Sequence, residues 1–163
     1  MDHSRRNFIK KSLTGMAGLT LATTVPQSLN AMSSKVSASD SLNVGLIGCK
    51  GMGFADLSDH LKVPGIRCVA LCDVDKNILE SRASDLEEMT GKKPELYRDF
   101  RRLIENKDID IVIIGTPDHW HCLPMVMACQ EGKDVYVEKP LANSIEECNI
   151  MHKAARKYNR VVQ

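Results

Sequence analysis

The sequence predicts an α/β fold, a doubly wound parallel sheet, from three observations. Short apolar strand segments alternate with helical segments from Leu42 onward. The first strand segment runs into a glycine-dense turn, Gly48-Cys49-Lys50-Gly51-Met52-Gly53, and the second delivers Asp73 at its carboxyl end. The fourth, Asp110-Ile111-Val112-Ile113-Ile114, is nearly all apolar, as a strand covered on both faces should be.

The elements follow in order. Leu42 to Ile47 reads as a strand, and a helix runs from about Met52 to Lys62 behind the glycine turn. Arg67 to Cys72 is the second strand. The charged helix from Lys76 to Met89 stops at Gly91, and Asp75 stands where a cap belongs. A short strand at Glu95 to Tyr97 leads to a helix from Phe100 to Asn106. The fourth strand ends in Gly115-Thr116-Pro117, and a helix is expected from His119 to Glu131, stopped by Gly132. Asp134 to Val137 is the fifth strand, followed at once by Glu138-Lys139-Pro140. Ser144 and Glu147 form a capping box for the last helix, whose Ile145, Cys148, Met151, Ala155 and Tyr158 recur at helical spacing. Arg160 to Gln163 reads as the start of a sixth strand.

Composition narrows the partners. The 163 residues carry 22 Lys and Arg against 21 Asp and Glu, so no basic field for nucleic acid exists. The six cysteines form no Cys-x-x-Cys pair. Cys68 and Cys72 lie about 13 Å apart along one strand, too far to bridge. All six read as small apolar side chains.

Residues 1–40 differ from the rest. Paired Arg5 and Arg6 precede a mildly apolar run from Leu13 to Val25, then small residues and a serine-rich spacer. The arrangement resembles a twin-arginine export signal, the alternative being a basic tail without structure. Its apolar run is too short for a stable membrane span, which takes about 20 residues. The expectation is a signal and spacer over 1–40, a dinucleotide-binding domain over 41–163, and a periplasmic or exported location.

The glycine turn carries the chemistry. Strand, glycine turn, helix and an acid about twenty residues on form the dinucleotide fingerprint. Glycines let the backbone turn tightly, and the helix amino terminus faces a pyrophosphate. Gly48 and Gly53 match the first and third glycines. Lys50 stands where the second would be, with Gly51 beside it and Met52 opening the helix. Lys50 either pairs with a phosphate or points into solvent. Asp73 takes hydrogen bonds from ribose hydroxyls and repels the extra phosphate of NADP, so NAD is the expected cofactor.

With Thr116-Pro117-Asp118-His119-Trp120-His121 after the fourth strand and Glu138-Lys139-Pro140 after the fifth, residues 42–163 resemble the amino-terminal half of the glucose–fructose oxidoreductase, inositol dehydrogenase and rhizopine-catabolism (Gfo/Idh/MocA) family. The resemblance implies a Rossmann domain holding NAD. Thr116 and Pro117 then lie at the nicotinamide side, with His121 at a helix start as an uncharged hydrogen-bond partner. Glu138 and Lys139 then sit beside the nicotinamide, with Lys139 catalytic at a sugar or polyol hydroxyl. Without its flanking motifs Lys139 would read as a surface lysine before a turn proline. Trp120 is packing or a wall of the site. His119, His121 and Cys122 match no common zinc spacing, so no metal is expected.

The resemblance also implies a second, α+β domain that completes the substrate pocket and forms the oligomer, and which the 163 residues do not contain. Three functions remain open at this point: an NAD-dependent oxidoreductase of sugars or polyols, an NAD-dependent glycosidase of the same family, and an inactive nucleotide-binding fragment.

Overall fold

The structure, a computed structural model, describes residues 41–163. The segment expected to be an export signal, residues 1–40, therefore lies outside the described residues. Five strands, β1 (Leu42–Ile47), β2 (Ile66–Cys72), β3 (Glu95–Tyr97), β4 (Ile111–Ile114) and β5 (Asp134–Val137), form one parallel sheet in the order β3-β2-β1-β4-β5. The chain builds outward from β1 in one direction and then returns to build in the other. Such a reversal opens a crevice at the carboxyl ends of the central strands, here β1 and β4.

Two apolar layers cover the two faces. Val44 and Leu46 of β1, Leu71 of β2 and Ile113 of β4 pack with Leu57 of α1 (Met52–His60) and with Leu79, Ala83 and Leu86 of α2 (Lys76–Thr90). Val112 and Ile114 of β4 face the other way, onto Leu103 and Ile104 of α3 (Phe100–Glu105), Met125 and Ala128 of α4 (Cys122–Gln130) and Met151 of α5 (Ile145–Lys157). Alternation along β4 is what a strand covered on both faces requires. The sheet is doubly wound, as the sequence predicts.

Local chemistry sets the element ends. Asp75 caps α2 through the amides of Asn77 and Ile78, and Gly91 ends that helix with φ 72°. Ser144 caps α5 through the Glu147 amide, while the Glu147 carboxylate turns back to the Asn143 amide rather than to Ser144 itself. Residues 161–163 run parallel to β5, with Gln163 N–H donating to the Val135 carbonyl at 3.0 Å.

One expected helix is corrected. Instead of running from His119, the segment makes a 3-10 turn over Asp118–Trp120, and α4 starts at Cys122. Pro124 is the reason: it has no N–H to give to the carbonyl of Trp120 four residues back. That carbonyl instead accepts the Thr116 hydroxyl at 3.1 Å. His121 consequently sits in the joint between turn and helix.

At the opposite, amino edge of the sheet lies a buried cation. Lys133 is 3% exposed, and its Nζ donates to the carbonyls of Asn106 (2.6 Å) and Ile109 (2.8 Å). Burial pushes its ammonium below the usual lysine range. It ties the starts of β4 and β5 to the end of α3.

Candidate functional site

The glycine turn is shaped by close approach. A Cβ on Gly53 would lie 2.1 Å from the Gly48 carbonyl oxygen, and one on Gly115 would lie 2.3 Å from the Gly53 Cα. A Cβ on Gly48 would come within 2.7 Å of the Thr116 nitrogen. Three glycines from β1, α1 and the end of β4 are thus in mutual backbone contact, which brings the amino end of α1 down onto the crevice. Gly51 differs: its φ is 55°, and nothing lies within 4 Å of where its Cβ would be. No side chain caps α1 at that residue. The turn presents backbone amides to an open space, a set of donors suited to an anion.

Asp73 closes the other side. Its Oδ2 accepts the Cys49 amide at 2.8 Å and its Oδ1 accepts the Asp75 amide at 2.9 Å. One carboxylate therefore fixes the glycine turn from the neighbouring strand. Each oxygen keeps a second lone pair for a hydroxyl donor.

A cavity of about 710 Å³ runs along this edge, and Gly48, Lys50, Asp73, Thr116 and Pro117 line it. Sequence reasoning did not single out its far wall, Arg98, Asp99, Phe100 and Arg101, which follows β3. Arg98 donates to the Val74 carbonyl at 3.0 Å, and the Arg101 amide and guanidinium hold the Asp99 carboxyl below its usual range. Trp120 is a wall of the same cavity and meets Phe100 edge-on, ring centroids 6.1 Å apart. Cys72 also lines it, but burial, with the nearby Asp73 carboxylate, pushes its thiol up to about 12. It is no nucleophile at neutral pH.

The remaining sequence-predicted residues sit around the cavity rather than in its wall. Gly53 is buried beneath the turn, and Met52 is exposed at the start of α1. Glu138 follows β5, its amide donating to the Ile114 carbonyl at 3.0 Å, and Lys139 beside it is exposed. His121 turns inward: it is 1% exposed, with Nε2 at 2.7 Å from the Thr116 carbonyl oxygen and Nδ1 at 2.9 Å from that of Pro140. Both ring nitrogens are engaged by backbone, so the hydrogen-bond partners expected of His121 lie within the protein.

One further acid, Asp56 of α1, belongs to this neighbourhood. Its Oδ2 is buried without a hydrogen-bond partner. Burial, then the Glu138 carboxylate, raises its carboxyl above the usual range, while His60 and Lys139 pull the other way.

The residues present suit a dinucleotide. The amino terminus of α1 has no side-chain cap, Lys50 and the Asp73 carboxylate both line the cavity, and the cavity is largely apolar. No helix among the described residues is long and apolar enough to cross a membrane.

Comparison with known proteins agrees. The family model of the Gfo/Idh/MocA oxidoreductase family, NAD-binding Rossmann fold, matches residues 42–163. An α-N-acetylgalactosaminidase of Shewanella oneidensis is 31% identical over an alignment covering 88% of this chain and 35% of its own length. Among solved structures, an NAD binding oxidoreductase from Klebsiella pneumoniae is 32% identical with a TM-score of 0.65, covering 76% of this chain and 34% of that one. The WlbA dehydrogenase of Chromobacterium violaceum, solved in complex with NADH and UDP-GlcNAcA, is 26% identical with a TM-score of 0.63, covering 75% and 34%. The chain spans 35% of the length of the curated relatives it matches. With the fingerprint turn, the acid after β2 and the crevice at the strand-order reversal all in place, the chain belongs to the Gfo/Idh/MocA oxidoreductase family, and residues 42–163 are its NAD-binding Rossmann domain.

Proposed function

We infer that the whole protein uses NAD held along this edge to move a hydride to and from a carbon bearing a sugar or polyol hydroxyl. The observation that carries the reading is the cavity joining the glycine turn, Asp73 and Thr116 across the crevice between β1 and β4. The chemistry that NAD supplies when bound is hydride acceptance and return.

The chain's own residues divide the rest. The amides at the start of α1 and the ammonium of Lys50 receive the pyrophosphate. Asp73 takes the ribose hydroxyls and opposes the additional phosphate of NADP. Thr116 and Pro117 give backbone to the nicotinamide side. Lys139, flanked by Glu138, meets the substrate oxygen: its Nζ accepts the hydroxyl proton as the hydride leaves carbon, and the charge gained with that proton faces the negative charge developing on the oxygen. Proton transfer of this kind is worth about 10²- to 10⁴-fold in rate.

A second reading, an NAD-dependent glycosidase, is favoured by the 31% identity to the α-N-acetylgalactosaminidase. There the sugar is oxidised, loses its leaving group and is reduced again, so NADH does not accumulate. A dehydrogenase accumulates NADH in step with substrate. We also assign residues 1–40 to export by the twin-arginine route, a path suited to a protein folded with its cofactor before crossing the membrane.

Melting the chain with added NAD tests the binding reading. A ligand at 100 times its Kd stabilises the folded form by about 2.7 kcal/mol, a rise of several degrees. No rise at millimolar NAD overturns it.

A further inference from the structure

The loop after β4 and the loop after β5 carry different parts of the site, Thr116-Pro117 in one and Glu138-Lys139 in the other. His121 belongs to the first by sequence, yet its ring reaches both. Nε2 lies 2.7 Å from the Thr116 carbonyl oxygen, and Nδ1 lies 2.9 Å from the carbonyl oxygen of Pro140, the residue after Lys139. At 1% exposure the ring has no surface to offer a cofactor or a substrate. A carbonyl only accepts, so a ring with one hydrogen donates to one of the two at a time, and a ring with two donates to both. With one hydrogen the ring bonds one loop and packs against the other; with two it bonds both at once.

We propose that His121 is a positioning residue: a buried strut that keeps the cavity wall at Thr116 and the backbone carrying Lys139 in fixed register. It acts through those residues and touches neither substrate nor cofactor. Neighbouring bonds direct the strut inward. The Thr116 hydroxyl holds the Trp120 carbonyl, the Trp120 amide donates to the Pro117 carbonyl at 2.8 Å, and His121 is thereby fixed at the joint before α4. Among the described residues a backbone bond also joins the two segments, the Glu138 amide on the Ile114 carbonyl at the strand ends themselves. Beyond that point the imidazole supplies the polar contact between them, beside the apolar packing of Cys122 and Ala142 on one shared core. Reacting groups need placement to about 0.5 Å, so a loose second loop would lose its contribution to the site.

The proposal rests on the nucleotide reading above, and its test separates the two. In the full chain, ADP reports the half of the site built by the glycine turn and Asp73, whereas NAD reports both halves. His121→Phe keeps the volume and removes both bonds; His121→Asn keeps one donor. The expected result is ADP affinity within twofold of the parent in both variants, with NAD affinity down about tenfold in His121→Phe and less in His121→Asn. Equal losses for ADP and NAD, unchanged NAD affinity, or a parent that binds NAD no more tightly than ADP would each overturn the strut. A second measurement needs no variant: the His121 ring N–H of the ¹⁵N-labelled parent should exchange with solvent at least 100-fold more slowly than those of exposed His119 and His152. Fast exchange overturns the strut even if the variants fail to fold or no nucleotide binds, and slow exchange supports it in those cases. Failure of the parent to bind either nucleotide counts against the nucleotide reading.

Discussion

The carboxylate of Asp73 holds the backbone amide of Cys49 at 2.8 Å, so the residue expected to grip a ribose also fixes the turn expected to cradle the phosphates. A hydrogen bond to a charged group contributes about 1.5–3 kcal/mol. Asp73→Ala should therefore weaken NAD by about tenfold or more while leaving NADP nearly unchanged, because NADP gains from the lost repulsion what it loses in the turn. Calorimetric titration with both cofactors checks this. A fall for NADP as large as that for NAD would confine Asp73 to fixing the turn.

The glycines should separate into two kinds. Gly53→Ala places a Cβ 2.1 Å from the Gly48 oxygen, a clash with backbone that costs more than about 3 kcal/mol in urea unfolding. Gly51→Ala meets nothing within 4 Å, and its cost, about 2–3 kcal/mol, comes only from holding a residue with a Cβ at φ 55° and ψ −119°.

Asp56 supplies a pH dependence. Its folded-state carboxyl is raised above the ordinary 3.8, so between that value and the raised one the folded chain holds more proton than the unfolded chain. This group's contribution to stability is therefore present below 3.8 and is lost as pH rises through the folded value. Asp56→Asn should raise the melting temperature at pH 7, and the gain should vanish near pH 3. Thermal melts of parent and variant across that range decide it.

Lys133→Met should destabilise the chain by about 1–3 kcal/mol, since the carbonyls of Asn106 and Ile109 lose a buried donor. NAD affinity should not change, because this lysine lies at the amino edge of the sheet. Urea unfolding and a cofactor titration on one sample separate the two effects.

Export is testable on the leading segment by itself. Residues 1–40 fused to a folded reporter should carry it across the membrane, and changing Arg5 and Arg6 together to lysine should leave it in the cytoplasm. Export that survives the double change would count against the twin-arginine route.

What sequence made legible was whatever depends on neighbours along the chain. The strand–glycine–helix turn, Asp75 and Ser144 as caps, and β4 as a doubly covered strand rest on local chemistry and periodicity. So does the ordering of sites at strand ends, once the sheet is parallel. Features made by contacts distant in sequence were not legible. The wall from Arg98 to Arg101 reaches the cavity only because β3 lies beside β2, and the inward turn of His121 depends on Pro140, 19 residues on. The late start of α4 was within reach of sequence, since Pro124 forbids the bond that a helix from His119 would need.

Gly48, Gly53 and Gly115 make one object out of three missing side chains. Because a Cβ on Gly53 or Gly115 would run into the other two, and one on Gly48 into Gly115 and Thr116, no one of them can be exchanged for a larger residue while its companions stay put. Protein engineers who wish to retune this pocket have Lys50, Arg98 and Trp120 as adjustable rim positions, but must leave that glycine trio as the immovable floor.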